Sequence, residues 1–179
     1  METAILGGGC FWCLEVALGE LRGVVDVISG YAGGHDEYPT YEAVCSGETG
    51  HAEVVQVQFD PLEIDYSDLL AAFFTIHDPT TLNRQGNDVG SQYRSVIFYC
   101  SEQQKMKAEA FMKSLNTSGD WPNPLVTALR PAGIFYPAES CHRDYYRLHA
   151  EQPYCRIVVA PKVNKLREKF CNRLSGKHG

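Results

Sequence analysis

At Cys10 the apolar spacing of this chain switches from that of a strand to that of a helix. Before it, "TAILGG" reads as a short buried strand. After it, Phe11, Leu14, Leu18 and Leu21 fall at i, i+3, i+7 and i+10, a helical stripe that Gly23 ends. The join is "GGGCFWCLE": three glycines, then two cysteines around Phe11 and Trp12. A strand that runs through a glycine turn into a helix must bury one face of each against the other, so the chain begins as a layered α/β structure.

The same alternation continues. "VVDVISGYAGG" is a strand with a glycine turn, and in "HAEVVQVQFD" Val55, Val57 and Phe59 share one face while Gln56 and Gln58 share the other. "DYSDLLAAFFTIHDP" is helical and stopped by Pro79. "YRSVIFYC" is a strand, and "SEQQKMKAEAFMKSL" opens as a capping box, Ser101 with Gln104. "PLVTALRPA" reads as a strand, "AESCHRDYYRLH" as a short helix, and "APKVNKLREKF" as a last helix starting at Pro161. The expectation is an α/β or α+β sheet carrying helices. Residues 30–50 and 77–93 form long polar, glycine-containing loops, and such loops in a compact domain are often functional.

At 179 residues the chain is expected to be a single catalytic domain, 1–179, with about 171–179 a short C-terminal tail. A chain of this size buries about two-thirds of its unfolded surface and needs no disulfide framework. The net charge of −6 argues against nucleic acid or an anionic membrane as partner. No apolar run approaches the roughly 20 residues of a membrane helix, and "METAILGGGC" does not read as a signal peptide. A cytoplasmic location follows as an expectation, so the seven cysteines read as buried thiols, redox thiols or ligands.

Cys10 stands at a helix start, where free N–H groups and the helix dipole favour thiolate; a lowered pKa is expected. The glycines before it permit a tight turn and close approach to the sulfur. Phe11 continues the core stripe. Trp12 lies off it and is expected at a pocket wall, against the commoner reading of two core aromatics. Cys13 completes Cys-x-x-Cys, a spacing that allows a disulfide. No second cysteine pair has metal-ligand spacing; "SCHRDYYRLH" offers only Cys141, His142 and His149, so no metal is expected.

Glu53 falls by parity on the face of Val55, Val57 and Phe59, where burial would raise its pKa and keep it protonated. Taken alone, a frayed or arginine-paired edge glutamate is the commoner reading. Asp88 sits in the loop "NRQGNDVGSQYRS", where an aspartate usually makes turn bonds. Tyr31, Tyr41 and Tyr93 lie in or beside similar loops, where a phenol could hold an oxygen atom. His51 and His77 read as structural.

Taken together, "GGGCFWCLE", "GYAGG", "PTYEAVCSGETGHAEVVQVQFDP", "FFTIHDPTTLNRQGNDVGSQYRSVIFY", "FYPAES.H" and "PYCRIVVAPKV" resemble, in order, the class A peptide methionine sulfoxide reductases, from about residue 4 to 170. The resemblance implies a two-layer α/β sandwich with a ferredoxin-like core and mixed sheet. It implies reduction of the S epimer of methionine sulfoxide, free or in proteins, through a sulfenic acid and then a disulfide. It implies Cys10 as nucleophile, Glu53 as acid, and Phe11 and Trp12 as the pocket for the substrate methyl. Asp88 would hold the site by hydrogen bonds, and Tyr41 and Tyr93 would contact the sulfoxide oxygen. No cofactor is implied beyond an external dithiol, thioredoxin, and the protein is expected to be a monomer. The departures concern recycling. Many members have glycine where this chain has Cys13, and a glycine-rich tail with resolving cysteines where it ends "EKFCNRLSGKHG". Cys13 is the preferred resolving thiol, Cys171 the rival, and Cys141 a third candidate. A thioredoxin-like disulfide oxidoreductase using Cys10 and Cys13, and a non-catalytic thiol sensor, are the competing readings.

Overall fold

The computed structural model describes residues 1–176; the last residues of the expected tail, 177–179, lie outside the described residues. The strands are β1 (Glu2–Gly7), β2 (Val24–Ala32), β3 (Ala52–Phe59), β4 (Arg84–Gln85), β5 (Asp88–Val89), β6 (Val96–Tyr99), β7 (Ala128–Pro131) and β8 (Tyr136–Pro137). The helices are α1 (Phe11–Gly19), α2 (Tyr41–Ser46), α3 (Tyr66–Ile76), α4 (Glu102–Thr117), α5 (Tyr145–Leu148) and α6 (Ala160–Lys169). The main sheet runs β7-β6-β1-β3-β2-β8, and β4 and β5 form a separate hairpin. Every pairing in the main sheet is antiparallel except β6 with β7. With α1 joining β1 to β2 and α3 following β3, the central order β6-β1-β3-β2 is that of a ferredoxin-like core, and the parallel β7 makes the sheet mixed.

The sheet has unequal faces. Val55, Val57 and Phe59 of β3 pack with Phe11, Leu14 and Leu18 of α1, with Leu69, Leu70 and Phe73 of α3, and with Val163 and Leu166 of α6. The opposite face carries a smaller cluster of Ile5, Ala32, Ala52, Val54, Val96 and Phe98. Both faces of β3 are therefore buried at its start, and a side chain there is shielded whichever way it points.

Local chemistry sets the boundaries. Asp65 caps α3 by accepting from the Ser67 amide at 2.8 Å, and Ser101 caps α4 by accepting from the Gln104 amide at 3.2 Å. The return half of the expected capping box is displaced by one residue: Gln104 Oε1 accepts from Cys100 N at 3.0 Å rather than from Ser101. The last α-helix begins at Ala160 instead of Pro161, and a π-helical turn, Cys155–Val159, leads into it. Such turns are rare and recur at functional sites.

The C-terminal segment is tied to the far end of α1. Arg22 N donates to Arg173 O at 2.8 Å, Ser175 N donates to Glu20 O at 2.8 Å, and Leu21 bridges Leu174. Arg167 grips the buried Glu20 carboxylate with two nitrogens, at 2.7 and 2.5 Å.

Candidate active site

The site forms where β1 hands over to α1. Gly8 packs so closely that a Cβ there would lie 2.9 Å from the His77 ring and from Phe73, and Gly9 adopts φ +88° against Gln85. That turn delivers Cys10 to the N-cap of α1, with φ −63° and ψ 128°. The next residue joins helix to sheet: Phe11 N donates to Glu53 Oε2 at 3.0 Å.

Glu53 is 1% exposed. Burial, with the charges of Asp88 and Cys13, raises its pKa to about 8 against the opposing bond from Phe11 N–H. At neutral pH it is a carboxylic acid able to give a proton. Strand parity placed it on this face, because β3 pairs on both sides and its register leaves no freedom to flip the side chain.

Cys10 departs from expectation. It is 6% exposed, and its pKa is raised, chiefly by burial, then by the hydrogen bond with Cys13 and the charges of Cys13 and Glu53. A hydrogen bond from Tyr154 opposes this. The helix terminus offers about 0.3–1 kcal/mol to a thiolate, whereas taking an ion out of water costs several kcal/mol. Burial wins, and the resting Cys10 is a thiol. Cys13, 1% exposed, shares the hydrogen bond, which pulls its own pKa down. The two sulfurs titrate as a unit, and their apparent pKa values belong to the pair.

The aromatic residues form a wall over this pair. Phe11 is fully buried, with ring centroids 5.8 Å from Tyr31, 6.4 Å from Tyr41 and 5.2 Å from His142. Trp12 is half-buried and lies flat on Tyr145, 3.8 Å between centroids and 6° from parallel. Its Nε1–H donates to His142 Nδ1 at 3.2 Å, and Tyr154 stands edge-on at 5.9 Å. Asp88, in the short hairpin, accepts from Tyr154 Oη at 2.7 Å. Tyr41 opens α2 against Phe11 and His142. Tyr93, in a 3-10 turn (Ser91–Tyr93), feels the charges of Glu53, Asp88 and Cys10, and both phenols are raised above their ordinary range by burial. The structure thus gathers Cys10, Phe11, Trp12, Cys13, Tyr41, Glu53, Asp88 and Tyr93.

The other candidate thiols stand differently. Cys171 is exposed in a 3-10 turn beside the last residues of α1, and Cys141 is exposed next to His142. Cys155 is buried and feels the charge of Cys13. Sequence reasoning missed three members of the site. Tyr154 links Asp88 to Cys10. Glu139 accepts from Tyr31 Oη and from Tyr41 N, each at 3.0 Å. His142 receives the indole N–H. All three come from 139–154, a run of short helical turns too brief for any periodicity to mark a face. Among the described residues no group of three His, Cys, Asp or Glu is placed to hold a metal ion. His51 and His77 are engaged with backbone and hydroxyl partners.

A hydrogen-bonded thiol pair at a helix start, roofed by aromatic rings and faced by a neutral carboxylic acid, defines a thiol-dependent oxidoreductase. A model of the peptide methionine sulfoxide reductases matches residues 2–174, and the chain belongs to that family. A relative from Thermus thermophilus named peptide methionine sulfoxide reductase MsrA is 57% identical over 169 residues, 94% of this chain and 95% of that protein. The crystal structure of Mxr1 from Saccharomyces cerevisiae in reduced form superposes with a TM-score of 0.78 at 36% identity, covering 86% of this chain and 88% of that one. Mxr1 in complex with Trx2 gives 0.51 at 27% identity, covering 80% and 84%. Its activity is accordingly that of a peptide methionine sulfoxide reductase.

Proposed function

We propose that Cys10 reduces the sulfoxide and that Cys13 resolves the product. The observation that carries this reading is the neutral Glu53 carboxyl bonded to the amide that follows the nucleophile. Phe11 and Trp12 hold the substrate methyl and keep out water. Tyr41, Tyr93 and protonated Glu53 face the oxygen. The Cys10 sulfur attacks the sulfoxide sulfur while Glu53 protonates the oxygen. The transient S–S bond and the substrate S–O bond then break as the oxygen, carrying the Glu53 proton, passes to Cys10, and the thiol proton restores Glu53. Sulfoxide and thiol become methionine and sulfenic acid. Because the resting Cys10 is a thiol, activation happens inside the site. Glu53, having given its proton to the oxygen, takes up the thiol proton, and the Tyr154 hydroxyl, turning its proton from Asp88 to the sulfur, steadies the developing charge.

Cys13 then condenses with the sulfenic acid, giving a disulfide and water. Its hydrogen bond to Cys10 favours it over Cys171, which sits near the other end of α1, some nine residues or about 13 Å along the helix axis. Thioredoxin reduces the disulfide by exchange, a reading supported by the relative solved in complex with Trx2. The steps balance with thiols alone and call for no prosthetic group. We place the enzyme, as one catalytic domain, in the cytosol, where a reducing pool would keep its seven cysteines available as thiols. Among the described residues no helix is long and apolar enough to cross a membrane.

The test is an assay of separated sulfoxide epimers with dithiothreitol. The S epimer should be consumed and the R epimer left, with no turnover by Cys10→Ser. Turnover of a disulfide but not of either sulfoxide would instead establish a disulfide oxidoreductase.

A further inference from the structure

Glu15 lies three residues beyond Trp12 on α1 and takes no part in the steps above. It is 8% exposed and faces a cavity of about 200 Å³ whose polar lining includes Asp26, Arg143, Asp144, Tyr146 and Arg147. Its hydrogen bond comes from the Asp144 amide, 3.4 Å from Oε1. Asp144 holds the left-handed conformation, φ 52° and ψ 28°, at the N-cap of α5. The first residue of α5 is Tyr145, the ring that lies flat on Trp12. A single bond therefore connects this carboxyl to the backbone that carries the support of the indole.

We propose that Glu15 is a positioning residue for the Trp12 wall: its carboxylate draws in the Asp144 amide and seats Tyr145 on the indole, and its protonated form lets that stack slacken and weakens substrate binding. The proposal rests on Trp12 being the substrate wall. An ionised acceptor makes a bond about twice as strong as a neutral one, so seating is firmer at higher pH.

The groups around Glu15 place the change in an accessible range. Asp26 on β2 pairs with Arg143 at 2.7 Å, and Arg147 lies 3.5 Å from Asp144. Burial, then the Asp144 charge, raises the Glu15 pKa, while the Asp144 amide and the Arg143 and Arg147 charges oppose this; it settles at about 7. Two other groups face Trp12 or the thiol pair. His142, which accepts the indole N–H, is held below its usual range by burial, and Glu53 titrates near 8.

The experiment uses full-length Trp121→Phe protein, so that Trp12 is the remaining indole. Without substrate, its emission should change between pH 6 and 8 with a midpoint near 7. The same protein carrying Glu15→Gln, checked for folding by circular dichroism, should lose that midpoint and keep any transition due to His142 or Glu53. Single turnovers of pre-reduced enzyme on a methionine sulfoxide peptide give the second readout. Half-saturation should be at least threefold higher at pH 6 than at pH 8, and in Glu15→Gln it should stay at the pH 6 value throughout. A midpoint near 7 that survives Glu15→Gln, or half-saturation that tracks the parent at both pH values, overturns the proposal. Since the emission arm needs no substrate, failure of the coupling is distinguishable from failure of the reductase reading.

Discussion

The backbone amide of Phe11 donates to Glu53 Oε2 at 3.0 Å, joining the residue after the thiol on α1 to the acid on β3. One oxygen of the carboxyl is thereby fixed, and the other is left for the proton. The acid can act only while protonated, so the first reductive step should fall away as pH rises through about 8. Glu53→Gln should lower the single-turnover rate by about 100-fold or more, the usual contribution of a general acid, and flatten the alkaline limb. The stability sign agrees. Glu53 is held protonated well above its unfolded value, so its contribution is complete below about 4.5 and is lost as pH rises through about 8. Urea melts at pH 5 and pH 9 should differ less in Glu53→Gln than in the parent.

Tyr154 donates to Asp88 and contacts Cys10, and removal of its hydroxyl leaves both without a partner they now have. Tyr154→Phe should slow the first step by about tenfold, the rate equivalent of one hydrogen bond to a charged group, about 1.5 kcal/mol. It should also shift Cys10 alkylation by iodoacetamide to higher pH, since the hydroxyl lowers that pKa. An unchanged alkylation profile would remove Tyr154 from the site.

Cys13→Ser separates reduction from recycling. One equivalent of methionine should form per enzyme, followed by arrest with thioredoxin as reductant, and mass mapping should find a sulfenic acid on Cys10. In the parent, mapping after one turnover without reductant should find a Cys10–Cys13 disulfide. A Cys10–Cys171 peptide would transfer the resolving role to the segment docked on the far end of α1.

Gly8 tests the turn. A methyl group there would meet the His77 and Phe73 rings at 2.9 Å, closer than carbon atoms pack. Gly8→Ala should cost about 1–3 kcal/mol, as overpacking does, seen as a lower midpoint in urea.

What the sequence revealed depended on periodicity. The stripe of Phe11, Leu14 and Leu18 placed α1, and the alternation of Val55, Val57 and Phe59 placed Glu53 on the core side, because each pattern records which face meets the core. Tyr154, Glu139 and His142 carry no such record. Glu139 and His142 flank and end a 3-10 turn, Tyr154 leads into the π-helical turn, and the pairing of β8 with β2 helps bring that stretch over Phe11. The raised pKa of Cys10 escapes the sequence for a related reason. The helix start is visible in the sequence, but the burial that outweighs it, and the contact with Tyr154 from more than a hundred positions away, are not.

Both sulfurs of the reactive pair lie below the surface, at 6% and 1% exposure. A folded dithiol reductant cannot touch either in this arrangement, so the oxidised pair must be presented by a movement of the rings above it. Recycling should therefore approach a ceiling as reductant is added, with the ceiling set by how often that lid parts rather than by thiol chemistry.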